Sequence, residues 1–122
     1  MKEIIAIIRP KKVGATRNAL VELGYTCLTG TAVKGRGNQR GIAEELGVQV
    51  HSSTDSSVAA TGMCYVPKRM LSIIVPDAAV DKVKDAIVAI NQSGQIGDGK
   101  IFVCPIDGAL RVRTGEEGET AI

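Results

Sequence analysis

The sequence predicts an α+β fold in which two helices pack on one face of a four-stranded antiparallel sheet, and three observations point to it. Short β-branched runs alternate with segments of helical apolar spacing in the order β-α-β-β-α-β. The 122 residues are the size of one ordinary domain. The hydrophobic fraction is 44%, yet there is no Trp and a single Phe, so one aliphatic core of Val, Ile, Leu and Ala has to be filled.

Ile4-Ile5-Ala6-Ile7-Ile8 is a β-branched run closed by Arg9-Pro10, which predicts a central strand buried on both faces or nearly so. Val13, Thr16, Leu20 and Leu23 then recur at helical spacing, and Gly24 supplies the left-handed residue that ends a helix. Thr26 to Lys34, rich in Thr, Leu and Val, predicts a second strand running into Gly35-Arg36-Gly37-Asn38-Gln39-Arg40-Gly41. From about Gly41 to Gly62 no period is sustained, and Ser52-Ser53-Thr54-Asp55-Ser56-Ser57 is too polar for a core, so a long loop is expected. Met63 to Val75 restores strand character up to Pro76. Asp77 is the expected cap of a second helix whose Val80, Val83, Ile87 and Ile90 share a face, ending near Gly94. Ile101 to Ile106 reads as the fourth strand, and Leu110-Arg111-Val112-Arg113 as a short extended piece after a turn at Asp107-Gly108.

This order is the split βαβ, or ferredoxin-like, arrangement. It covers one sheet face and leaves the other bare, with no third helix to protect its Val and Ile, so closed self-association into a homo-oligomer is expected. Acylphosphatase-like enzymes and RNA-binding modules share the topology, so the fold alone chooses no function.

Composition narrows the field. The formal charge is +2 with dispersed basic residues, which lacks the one-sided excess a nucleic-acid groove needs, so no nucleic-acid partner is expected. Cys27, Cys64 and Cys104 form no CxxC pair and have no His at ligand spacing; this predicts neither a disulfide frame nor a structural zinc site. The apolar run from Ile4 reaches Arg9-Pro10 too soon for a signal sequence or a membrane span, so a cytoplasmic protein without membrane insertion is expected.

Gly97-Asp98-Gly99-Lys100 stands between the second helix and the fourth strand, where two glycines let successive N–H groups form an anion-binding nest and Lys100 adds a positive charge. A tight turn with a solvated lysine is the alternative, and Asp98 reads as a turn residue. Arg111 and Arg113, two apart on an extended piece, project from one side as paired guanidiniums that suit phosphate; alone, they equally suit a charge-guarded edge strand. Together with the nest they favour a polyphosphate. Gly35, Gly37 and Gly41 are spaced for close backbone approach but form neither a Walker loop nor a dinucleotide fingerprint. Taken singly, Gln39 reads as a surface residue, Lys68 as a solvated lysine and His51 as a loop histidine. No nucleophile with a base and no carboxylate cluster for a metal is written here, so catalysis is not expected.

Across nearly all of its length outside the long loop, the chain resembles the PII nitrogen-regulatory signal-transduction proteins. The segments that carry the resemblance are Ile7-Ile8-Arg9-Pro10, Leu28-Thr29, Gly35 to Gly41, Gly97 to Val103 and Arg111-Val112-Arg113-Thr114-Gly115-Glu116. The resemblance implies a single domain over residues 1–122, with an effector loop over about 37–62 and a C-terminal tail over about 114–122. It implies a homotrimer with a nucleotide cleft between neighbouring subunits. Carried over by position, Gly97, Asp98, Gly99 and Lys100 hold the phosphates of ATP or ADP with Arg111 and Arg113. Ile7, Thr29, Ser72 and Ile74 surround adenine with Phe102 nearby, and Gly35, Gly37 and Asn38 follow the nucleotide edge. Gln39 reaches Mg2+, Gly41 and its neighbours donate N–H groups to 2-oxoglutarate, and Lys68 pairs with its carboxylate.

Two departures bear on the nucleotide: Asn38 stands where an arginine is common, and Ser72 where a glutamate is common. The long loop has no Tyr between Gly37 and Gly62, so uridylylation is not expected, although Ser52, Ser53, Ser56 and Ser57 leave phosphorylation open. Met1 to Pro10, Gly35-Arg36-Gly37 and Pro67-Lys68-Arg69-Met70 look most like the nitrogenase-associated branch. That likeness implies dinitrogenase as the target and a trimer that can mix with a sister protein. A general regulator of an ammonium transporter or glutamine synthetase is the alternative. A small phosphatase or kinase, and an RNA-binding module with only Phe102 for stacking, rank behind both.

Overall fold

The computed structural model describes residues 1–36 and 65–122. Its elements are β1 (Lys2–Ile8), α1 (Val13–Glu22), β2 (Thr29–Gly35), β3 (Val66–Val75), α2 (Val80–Asn91) and β4 (Lys100–Pro105). They form one antiparallel sheet of order β2-β3-β1-β4, the predicted α+β, ferredoxin-like arrangement.

Strand β1 is central, as its composition requires, but it is not buried on both faces. Ile4, Ala6 and Ile8 are buried while Ile5 and Ile7 between them are only half-buried. The period-2 pleat sends the first set under the helices and the second to the open face. Leu71, Ile73 and Val75 of β3 join the buried set, and Leu20 of α1 with Val83 and Ile87 of α2 closes it from above. Each of the Val, Leu and Ile side chains in this set stabilises the fold by roughly 1.5–3 kcal/mol on burial.

The helices are tied by a polar pair that periodicity alone reads as apolar. Thr16 is fully buried and donates to the Lys12 carbonyl at 2.8 Å, while Asn91 Nδ2 donates to Thr16 Oγ1 and to the Ile87 carbonyl, each at 2.9 Å. Gly24 and Gly94, with φ of 91° and 78°, turn the chain after α1 and α2 as expected.

Two local expectations are corrected. Asp77 makes no side-chain cap: it opens a 3-10 turn, Asp77–Ala79, that leads into α2, and its carboxylate meets the Met1 amino group at 3.2 Å. The segment Leu110 to Arg113 is not extended. Leu110 bridges only to Glu117, and the chain turns at Arg111 to Gly115, where Thr114 and Gly115 N–H both donate to the Arg111 carbonyl. Gly115 and Gly118, at φ 73° and 69°, take the left-handed conformation this hairpin needs. Four alternating residues without a ladder partner were too few to hold a strand against that turn.

Candidate functional site

At one end of the sheet, Ile7 leaves β1 toward the open face and Arg9 follows two positions on in extended backbone, φ −68° and ψ 138°, so both side chains lie on one side. Against them folds the loop that joins α2 to β4. Gly97 and Gly99 in it have φ of 98° and 116°. At Gly99 the reason is spatial as well: a Cβ there would run into the backbone carbonyl of Ile7, so only glycine lets the loop lie against β1.

Side chains fix the loop from three directions. Arg9 Nε donates to the Gly97 carbonyl at 3.2 Å and its Nη2 to the Ile96 carbonyl at 2.9 Å. Lys68, on β3, donates from Nζ to the same Gly97 carbonyl at 2.6 Å. Asp98 turns back to accept from the Ser93 N–H at 2.6 Å, the Gly94 N–H at 3.0 Å and the Ser93 hydroxyl, with Arg9 Nη2 at 3.5 Å. The Ser93 hydroxyl foremost, then the two N–H groups and the Arg9 charge, hold this carboxyl below its ordinary pKa. Asp98 is thus a structural carboxylate of the turn, as its position predicts.

The loop walls a cleft of about 520 Å³, lined among the described residues by Ile7, Gly35, Arg36, Val66, Lys68, Gln95, Ile96, Gly97, Asp98, Gly99 and Lys100. Ile7, Gly35, Lys68 and Gly97 to Lys100 were singled out by sequence, and the structure brings these seven together. Three cations, Arg36, Lys68 and Lys100, and one carboxylate already bonded into the turn make the cleft suited to an anion. Lys68 is not simply solvated, since its ammonium is spent partly on the loop carbonyl.

The other candidates stand elsewhere. Thr29, Ser72, Ile5 and Phe102 form one row across the open sheet face, paired in register. Ile74 lies one row further, opposite Glu3, and Ser72 Oγ donates to Glu3 Oε1 at 2.6 Å. Thr29 is on the β2 edge and Phe102 on the β4 edge, three strand spacings or about 14 Å apart. Arg111 and Arg113 sit in the C-terminal hairpin, where Arg111 is ion-paired with Glu116. Gly37, Asn38, Gln39 and Gly41 lie outside the described residues, as do the serines of the long loop.

Sequence reasoning missed Arg9 and Arg36. The spacing that places Ile7 in the site holds the signal for Arg9, since an extended chain carries residue i+2 to the same side. Arg36 follows Gly35 directly and needed only the cleft to be recognised.

Among the described residues no helix is long and apolar enough to cross a membrane. A family profile described as "Nitrogen regulatory protein P-II" matches residues 1–116. "Nitrogen fixation nifHD1 region GlnB-like protein 2" of Methanosarcina barkeri is 48% identical over 122 residues, covering 100% of this chain and 99% of the relative. A nifHD region GlnB-like protein 2 of Methanobacterium ivanovii is 50% identical with the same coverage, and "Nitrogen regulatory protein P-II 1" of Escherichia coli is 43% identical over the full length of both. Proteins of this family are signalling regulators that bind nucleotides and 2-oxoglutarate, not enzymes. With the matching fold and a cationic cleft behind the Gly97–Lys100 turn, the chain belongs to the P-II nitrogen regulatory protein family.

Proposed function

We propose that this chain is a cytoplasmic nitrogen-status transducer that binds ATP or ADP, Mg2+ and 2-oxoglutarate and controls nitrogenase through its long loop. The observation that carries the ligand reading is the division of the candidate residues. Those of the cleft wall converge within one chain, whereas Thr29 and Phe102 sit on opposite sheet edges about 14 Å apart, too far to enclose one adenine. A site built between two copies, the β2 edge of one beside the β4 edge of the next, removes the conflict. A homotrimer, or one mixed with a sister protein, supplies such boundaries, and covers the half-exposed Ile74 and Phe102.

In this reading Gly97 to Lys100 hold the phosphates with Arg111 and Arg113, Ile7 meets the base with Thr29, Ser72 and Ile74, and Gly35 with residues 37 and 38 runs along its edge. Gln39 reaches the metal, and Lys68 and the backbone near Gly41 take the dicarboxylate. Lys68 is then the link between sites, because its ammonium already holds the carbonyl of the phosphate turn. Binding of a second anion beside it shifts the loop only through a difference in affinity between the two loop states. Titrating 2-oxoglutarate with and without Mg-ATP tests this directly: tight binding only with Mg-ATP is expected, and equal affinity in both defeats it.

The nitrogenase target is supported by relatives named for the nitrogen-fixation nifHD region, 48–50% identical over the whole chain. Pull-down with dinitrogenase, released by 2-oxoglutarate, is the expected result. The relative named P-II 1, at 43%, favours the second reading, a general regulator docking on an ammonium transporter or glutamine synthetase, which capture of either in place of dinitrogenase would establish.

A further inference from the structure

A second cavity lies on the other side of the α2–β4 turn from the cleft. It measures about 300 Å³, the size of a small ligand pocket, and is enclosed by α2, the ends of β1 and β4 and the turn at Asp98 and Gly99. Ile8, Ile87 and Ile101 with the half-exposed Val88 give it an apolar lining. Ile101 pairs in register with Ala6, so it belongs with Ile8 to the helix-covered face of the sheet, whereas the cleft opens beside Ile7 on the other face. One polar group of this lining is left incomplete. Asn91 is only 7% exposed; its Nδ2 donates to Thr16 Oγ1 and to the Ile87 carbonyl, while its Oδ1 has no hydrogen-bond partner among the described residues. These contacts fix which end of the amide is which. Thr16 Oγ1 gives its own proton to the Lys12 carbonyl and can only accept from Asn91, as can the Ile87 carbonyl, so oxygen and nitrogen cannot exchange places.

We infer that this cavity is a ligand site of its own, for a small uncharged molecule with an apolar body and one N–H or O–H donor that completes Asn91 Oδ1. A buried acceptor without a donor is unfavourable, and native folds answer it with a partner from protein, water or ligand. The lining argues for an apolar body over water alone, because a held water needs about two to four polar partners. The side chains of Ile8, Ile87, Val88 and Ile101 supply none. The charges around the cavity argue for a neutral occupant. Lys84 is paired with Asp81 at 2.7 Å, Asp98 is bonded to the Ser93 and Gly94 amides beside Arg9, and Lys100, in register with Ile7, is directed to the cleft. None of the three is left to call for a counter-charge. The inference does not depend on what the cleft binds.

Indole and benzofuran test it, since they are nearly isosteric and differ in carrying an N–H donor or an ether oxygen. Titrated into the full chain in its natural assembly and followed through the methyl NMR signals of Ile87, Val88 and Ile101, indole is expected to shift them saturably. Benzofuran should bind about five- to fiftyfold more weakly. Asn91→Ala should bring the two probes to within about twofold of each other, because the acceptor that tells them apart is gone. Val88→Trp, at a half-exposed position of the lining, should close the cavity to both. Absence of saturable shifts with either probe overturns the inference. Equal affinity of the two for the unaltered protein also overturns it, and leaves Oδ1 to water. A preference for indole that survives Asn91→Ala overturns it as well, because the donor is then read elsewhere.

Discussion

The α2–β4 loop over residues 93–99 and the C-terminal hairpin over residues 110–117 both carry candidate ligand groups, yet they are tied down in opposite ways. The loop is held by distant parts of the fold: Arg9 from the end of β1, Lys68 from β3, and the close seat of Gly99 on Ile7. Among the described residues, the hairpin's hydrogen bonds all stay within residues 109–122. The first is thus a wall built into the sheet, whose shape depends on global folding. The second is an arm with its own internal order, and what it reaches has to be supplied from outside it. A binding site divided between a fixed wall and a self-contained arm is suited to assembly across two copies.

That contrast breaks most readily at Gly99. Gly99→Ala adds a Cβ against the Ile7 carbonyl at a φ of 116°, and neither backbone segment can give way without disturbing β1. A loss of about 2–4 kcal/mol is expected from the left-handed strain and the overlap together. Urea denaturation measures it, and a loss below about 0.5 kcal/mol, the level of ordinary surface changes, means the loop is not seated on β1 as described. Arg9→Ala comes next. It leaves the Ile96 and Gly97 carbonyls without their guanidinium partner, for a loss of about 2 kcal/mol. Arg9→Lys should recover only part of this, since one ammonium cannot reproduce a planar fork to two carbonyls. Full recovery by lysine points to charge alone.

Much of the wall was legible from sequence and little of the arm. The β-branched run Ile4 to Ile8 marks β1 as the central strand, although five apolar residues in a row do not reveal that only Ile4, Ala6 and Ile8 are buried, and two glycines flanking an aspartate mark a turn that needs left-handed backbone. These are local rules with few competing solutions. Arg111 and Arg113 were read by the same two-residue rule and it failed. Thr114-Gly115 and Gly118 bend the chain before a strand can form, and which arginine finds a carboxylate is decided by that bend. Arg9 was missed for another reason. Its partners are main-chain carbonyls 87 and 88 positions away, and no side-chain pattern marks a carbonyl as an acceptor. The Asp77 cap failed because the chain enters α2 through a 3-10 turn behind Pro76.

On the arm, Arg111→Ala should cost under about 1 kcal/mol of global stability, since an exposed ion pair contributes little and the hairpin is bonded only to itself. Local hydrogen exchange over residues 110–118 should nonetheless rise clearly. A global loss matching that of Arg9→Ala would mean the hairpin is part of the core structure and the contrast is false.

The smallest effect concerns pH and separates the two regions again. The Asp98 carboxyl is held below its ordinary value of 3.8, first by the Ser93 hydroxyl, then by the Ser93 and Gly94 N–H groups and Arg9. A depressed folded pKa means the ionised form stabilises the fold, fully so above the ordinary value, and that this contribution fades as pH falls through the lower folded value. At neutral pH the loop should therefore be insensitive to acid. Below about 3.8 the Ser93 and Gly94 amides should lose exchange protection, and Asp98→Asn should remove that acid-side dependence while leaving an amide oxygen to accept from the same turn. Titration of the Ser93 and Gly94 amide shifts by NMR reads the step directly. An inflection above the ordinary aspartate value would show that the carboxyl is not held by these donors, and that the wall is looser than its contacts to Arg9 and Lys68 require.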